Sequence, residues 1–84
     1  MRIVLCDDDE KILIQLKAYL QEYFQQNALH QPEYASYTDG DALLAAEDAP
    51  DAPRADMAFL DVEMPGTSGI HVGARLQSRN PYIK

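Results

Sequence analysis

Three consecutive aspartates, Asp7, Asp8 and Asp9, follow the apolar run Ile3-Val4-Leu5-Cys6, and a fourth, Asp61, follows a second short run, Met57-Ala58-Phe59-Leu60. Carboxylates delivered to one place repel one another by about 1 kcal/mol per pair at 4 Å in water, and by about 4 kcal/mol at an effective dielectric of 20. Something positive must offset that repulsion. A hard divalent cation can do so, because Mg2+ takes oxygen ligands, uses one or two carboxylates, keeps several waters and completes its octahedron with phosphate or carbonyl oxygens. One carboxylate can then act as nucleophile towards a phosphoryl group whose oxygens the same metal holds.

The remaining inventory narrows the chemistry further. Asp and Glu outnumber Lys and Arg 14 to 7, for a formal charge of -7. Direct nucleic-acid binding by this chain is therefore not expected, because phosphate neutralisation needs a cationic face. Cys6 is the only cysteine, and it has no zinc-like spacing to His30 or His71, so an intramolecular disulfide and structural zinc are both excluded. No apolar run approaches the ~20 residues of a membrane span. The start of the chain turns acidic after a few apolar residues, with no secretory signal visible, so the expected location is cytoplasmic with no membrane partner. At 84 residues the chain makes one small domain that buries about 63% of its unfolded surface.

The elements that must position the acids follow from the apolar patterning. Arg2–Cys6 is a near-continuous apolar run, the signature of a strand covered on both faces in a parallel sheet. From Glu10 to about Asn27 the residues Ile12, Leu13, Leu16, Tyr19, Leu20, Tyr23 and Phe24 recur at three- and four-residue spacing, predicting an amphipathic helix capped by Asp9. Residues 28–32 read as a connection and Glu33–Tyr37 as a short second strand. Asp39 before Gly40–Glu47 predicts a capped second helix, with Asp41 as a first-turn charge and a proline-bearing loop, 48–53, after it.

Met57–Leu60 repeats the opening pattern and hands Asp61 to the loop Val62-Glu63-Met64-Pro65-Gly66-Thr67-Ser68-Gly69. A third helix is expected from Ile70 to about Ser78, with Ile70 and Ala74 inward and Val72 and Leu76 as further candidates, stopped by Asn80-Pro81. Arg75 and Arg79 read as a solvated face, and Asp56 as the opening of the third strand. This βαβ alternation is that of a doubly wound parallel sheet with strand order 2-1-3. In such sheets ligands gather beyond the carboxyl ends of the strands at the switch point, where Asp7, Asp8 and Asp61 arrive together.

The pairing of the acidic start, Ile3-Val4-Leu5-Cys6-Asp7-Asp8-Asp9-Glu10, with Phe59-Leu60-Asp61-Val62-Glu63-Met64-Pro65-Gly66 and Ser68-Gly69-Ile70 resembles the receiver domain of two-component response regulators. The likeness runs along the whole chain. It implies a flavodoxin-like fold, with Asp61 as phosphoacceptor for a sensor histidine kinase or a small donor such as acetyl phosphate. It implies Mg2+ held by Asp8 directly, by Asp7 largely through water, by Asp61 and by the backbone carbonyl of Glu63. Pro65 and Gly66 would shape the loop, and Gly69 would permit entry into the third helix.

The resemblance further implies a longer domain, so residues 1–84 are expected to be an incomplete receiver that stops on entering strand 4 and lacks everything through helix 5. With those elements go a Ser or Thr and a Lys that the family uses around the phosphoryl group. Mg2+ binding by these 84 residues is therefore expected to survive better than phosphorylation. The third strand becomes an edge that invites pairing with a second copy, as a homodimer or strand-swapped oligomer. The Cys-Asp-Asp-Asp start is similar to that of regulators carrying LytTR-type output domains, which implies a DNA-binding, transcription-regulating output outside this chain.

Two other function classes fit parts of the pattern. Asp7-Asp8-Asp9 contains the Asp-x-Asp of haloacid-dehalogenase-type phosphatases, although Lys11 stands where those enzymes carry Thr or Val; there Asp7, not Asp61, would be modified. A receiver-like module that docks partners without phosphotransfer is the third class. It would respond to metal without responding to a phosphoryl mimic. The receiver reading makes the chain a signalling phosphoacceptor and not an enzyme.

Overall fold

The computed structural model describes residues 1–64 and 66–84. Its elements are β1 (Arg2–Cys6), α1 (Glu10–Gln26), β2 (Glu33–Tyr37), α2 (Gly40–Glu47), β3 (Met57–Leu60) and α3 (Gly69–Arg79). The strands form one parallel sheet in the order β2-β1-β3, the three-strand, three-helix form of the flavodoxin-like α/β architecture. β1 lies in the middle, its Val4 opposite Ala35 on one side and Ala58 on the other.

Alternation along β1 divides the core in two. Val4 and Cys6 point to the face covered by α2 and α3, where they meet Leu43, Val72 and Leu76. Ile3 and Leu5 point to the face covered by α1, where they meet Leu13 and Phe24. Ile3, Val4 and Leu5 have no exposed surface at all, as a strand clad on both faces requires.

The inward stripe of α1 is narrower than its periodicity predicts. Leu13 and Phe24 are buried and Leu16 and Leu20 pack beside them, whereas Ile12, Tyr19 and Tyr23 are exposed. A single helix on a three-stranded sheet touches it along one line, so apolar residues flanking that line stay in water. The inward face of α3 is likewise Val72 and Leu76, while Ile70 and Ala74 are exposed. Both pairs share a four-residue spacing, and the sheet meets only one of them.

The caps follow their sequence signals. Asp9, Asp39 and Ser68 each accept a backbone N–H at the start of their helices, from Lys11, Ala42 and His71, satisfying groups a helix start leaves unpaired. α1 ends in a Schellman arrangement: Leu29 N–H donates to the Phe24 carbonyl and Ala28 N–H to that of Gln25, with Ala28 at φ 54°. Glycine is the residue that adopts this conformation without a steric cost. Ala28→Gly is therefore expected to raise stability by about 0.5–1 kcal/mol, read as a higher urea midpoint at unchanged slope.

The Arg2 guanidinium, from the start of β1, forks onto Glu47 at the end of α2, and the Tyr37 hydroxyl, from the end of β2, donates to the same carboxylate at 2.5 Å. Glu47 is 3% exposed. The Asp56 carboxylate accepts the Arg2 backbone N–H at 2.8 Å, so this residue does more than open β3. Arg75 and Arg79 differ from the solvated face expected of them. Arg75 pairs with Asp48, and Arg79 donates to the carbonyls of Ala49 and Ala52, fastening the proline-bearing loop to α3.

Candidate metal centre

The carboxyl ends of β1 and β3 lie side by side, Cys6 opposite Leu60, and each strand hands its next residue to the same rim. Asp61 N–H donates to the Cys6 carbonyl at 2.9 Å and Asp7 N–H to the Tyr37 carbonyl at 3.2 Å, so the ladder extends to the acids and fixes their backbones. As a result Asp7, Asp8 and Asp61 each place a carboxylate oxygen within 4.8 Å of the others. Asp7 and Asp61 are half-buried and Asp8 is exposed. An all-oxygen donor set open to solvent on one side fits a hard divalent cation that retains waters.

Asp9 takes no part in this group. Its carboxylate accepts from Lys11 N–H at 2.9 Å, and Asp7 accepts from Asp9 N–H at 2.9 Å. Asp9 is thus turned into the helix start, and Asp7 is held by a turn across the strand-helix junction. Glu63 is exposed, with its N–H donating to Asp61 Oδ1 at 3.2 Å. That contact brings the Glu63 backbone to the Asp61 side chain.

Cys6, immediately before the acids, is inert. Burial, reinforced by the charges of Asp39, Asp7 and Asp61, pushes its thiol up to about 11, so it stays protonated at neutral pH. Its Sγ sits 3.2 Å from Met64 Sδ, which anchors one point of the β3–α3 loop against the core. His30 and His71 are exposed and stand apart from the acidic group.

The loop closes on itself at Gly69. A Cβ there would stand 2.0 Å from the Asp61 carbonyl oxygen, and Gly69 N–H donates to the Val62 carbonyl at 3.2 Å. Gly66 has φ 77°, a left-handed value natural to glycine. Pro65, expected to shape the loop with it, lies outside the described residues. One contact here carried no sequence signal beyond a first-turn acid: Asp41 reaches across to Thr67, accepting from its hydroxyl at 2.5 Å and from its N–H at 3.3 Å.

No family model matches the sequence, and no curated protein matches it. Solved structures do. The chain is similar to the response regulator TrrA of Thermotoga maritima, solved in complex with Mg2+-BeF, at 29% identity and a TM-score of 0.73, covering 99% of this chain and 64% of that one. The same regulator solved in complex with the histidine kinase ThkA matches equally, at 29% identity and a TM-score of 0.73. The BeF3-activated DrrB receiver domain matches at 26% identity and a TM-score of 0.68, over 98% of this chain and 59% of that one. The chain thus spans 59 to 64% of the length of these structures. Among the described residues no helix is long and apolar enough to cross a membrane.

Proposed function

We propose that this chain is the N-terminal part of a receiver domain and accepts a phosphoryl group on Asp61 in a Mg2+-dependent reaction. The observation that carries this reading is the convergence of Asp7, Asp8 and Asp61, with one oxygen of each within 4.8 Å of the others, at adjacent strand ends. The likeness to regulators solved with Mg2+-BeF and with a histidine kinase supports both the cofactor and the donor.

In this reading Asp7, Asp8, Asp61 and the Glu63 carbonyl hold Mg2+, which when bound neutralises the acids and the incoming phosphoryl oxygens. An Asp61 carboxylate oxygen forms the new bond to phosphorus while the bond from phosphorus to the donor, a kinase histidine nitrogen or an acetyl oxygen, breaks. The hydrogen bond from Glu63 N–H to Asp61 Oδ1 orients the carboxylate and leaves Oδ2 as the attacking atom. The implied partners are a sensor histidine kinase and a DNA-binding, transcription-regulating output outside these residues, in the cytoplasm. A second copy of the chain would pair along the outer edge of β3.

Titration with Mg2+ followed by beryllofluoride, read by NMR shifts around Asp61, tests the assignment. Two successive responses are expected, with the second lost in Asp61→Asn. A metal response with no response to the mimic would leave a docking module in place of a phosphoacceptor. A phosphorylated peptide containing Asp7 after acetyl phosphate treatment would reverse the choice in favour of a phosphatase-like centre.

A further inference from the structure

We infer that Asp41, on α2, is a positioning residue for the acceptor loop, acting through Thr67 as a latch that sets where the Glu63 carbonyl sits. The inference rests on the phosphoacceptor reading for its functional consequence, but the latch itself is carried by geometry. α2 and the β3–α3 loop meet closely: a Cβ on Gly40 would stand 2.0 Å from the Thr67 carbonyl oxygen, a backbone atom, and one on Gly66 would stand 2.5 Å from Oδ2 at the end of the Asp41 side chain. Nothing larger than glycine fits at Gly40, and at Gly66 the left-handed φ of 77° favours glycine. Across it Asp41 Oδ1 takes both the hydroxyl and the N–H of Thr67.

The neighbouring aspartate shows that this is not the usual work of an acid at a helix start. Asp39 already caps α2 by accepting from Ala42 N–H at 2.7 Å, which leaves Asp41 to face the loop. The loop is then held at three places: at its base, where Gly69 N–H donates to Val62; against the core, where Met64 meets Cys6; and at its crown, where Thr67 is gripped by Asp41. The crown contact lies beyond Glu63 and beyond the Met64 anchor, so releasing it removes the far support of the loop and lets the Glu63 carbonyl shift about the contacts at Glu63 N–H and Met64 while the base stays closed.

Asp41 is exposed, and solvent-accessible hydrogen bonds add little to stability. What the latch contributes is therefore position. Groups that orient a metal ligand from outside typically change affinity by about 10- to 100-fold when removed. Asp41→Ala and Thr67→Val are each expected to weaken Mg2+ binding about tenfold with the thermal midpoint nearly unchanged, and the double variant to be no weaker than either single one. Asp41→Asn keeps the accepting Oδ1 and is expected to restore most of the affinity.

The alternative is that Asp41 acts only as one more negative charge near the cation. In that case Asp41→Asn would weaken binding as much as Asp41→Ala and Thr67→Val would leave it alone, which overturns the latch. Amide hydrogen exchange over residues 62–64 and 66–68 without metal supplies the second readout. Faster exchange in Asp41→Ala and Thr67→Val is expected, and unchanged exchange would refute the latch even if the native chain ignored Mg2+. A native chain that binds neither Mg2+ nor beryllofluoride, yet shows the exchange difference, refutes the phosphoacceptor reading and keeps the latch.

Discussion

Replacing Gly69 by alanine is expected to cost the domain about 3 kcal/mol and to erase its response to beryllofluoride. The added Cβ would overlap the Asp61 carbonyl oxygen at 2.0 Å and its carbon at 2.8 Å, with Val62 Cα at 3.1 Å behind them. All three are backbone atoms, so no rotamer change relieves the clash. Either the end of β3 is pushed back, which moves Asp61, or the first turn of α3 withdraws and draws the loop carrying Glu63 away from Asp61. For a domain of this size about 3 kcal/mol corresponds to a fall in thermal midpoint of roughly 12–24 °C.

Gly73, one turn further along the same helix, is the control. A Cβ there meets only Leu60 Cδ1, at 3.5 Å, an ordinary contact. Gly73→Ala is therefore expected to stabilise by about 0.5–1 kcal/mol through helix propensity and to leave the mimic response intact. Thermal melts of the two variants check the pair. Equal midpoints for Gly69→Ala and the native chain would mean that α3 does not enter so close to Asp61.

Glu47→Ala is the second large effect, with an expected loss of about 3 kcal/mol out of the roughly 4–13 kcal/mol that a domain of 84 residues holds. The carboxylate is 3% exposed and lies at the C-terminal end of α2, where the helix dipole disfavours negative charge. Burial alone would push it up. The hydrogen bonds from Arg2 and Tyr37 and the Arg2 charge more than offset that, so its pKa is held below the ordinary carboxylate value. Truncation leaves the Arg2 guanidinium and the Tyr37 hydroxyl facing an empty space.

The sign of the pH dependence follows. A carboxyl depressed in the folded state adds stability that is fully present above its unfolded value, about 4.3, and is lost as pH falls through the lower folded value. Urea unfolding followed from pH 7 down to pH 3 should show an acid-side loss in the native chain that is shallower in Glu47→Ala. Arg2→Met combined with Glu47→Leu should recover much of the lost stability, because an apolar pair of similar volume avoids the desolvation of two ions. A Glu47→Ala chain within about 1 kcal/mol of native, with the same acid limb, would show that the pair contributes little.

The parts of the molecule that can be read from the sequence are those set by local pattern. Apolar runs, helical periodicity and capping residues mark the six elements, and the position of Asp7, Asp8 and Asp61 just after apolar strands is enough to bring them to one rim once the sheet is parallel. The Arg2–Glu47–Tyr37 contact cannot be read in this way. Its members lie on β1, α2 and β2, and each alone is an unremarkable strand opener, helix end or aromatic. The same holds for Asp41 and Thr67, whose meeting depends on how far α2 slides towards the loop. Periodicity overstates the inward faces of α1 and α3 because it reports every apolar residue near the stripe. The width of the opposing sheet decides which of them are covered, leaving Ile12, Tyr19, Tyr23 and Ile70 in water.

The position of β1 between its two neighbours also bears on the order of folding. β1 emerges from the ribosome before either of its partners, Glu33–Tyr37 along one side and Met57–Leu60 along the other. The nearer partner closes the smaller loop and so has the lower entropic barrier. A β1–α1–β2 nucleus should therefore form first, with Ile3 and Leu5 covered by α1 and with Val4 and Cys6 bare and prone to aggregation until α2, β3 and α3 arrive. Of the residues buried most deeply in the finished domain, those on the α2 and α3 face of β1 are thus the ones a nascent chain must shield longest.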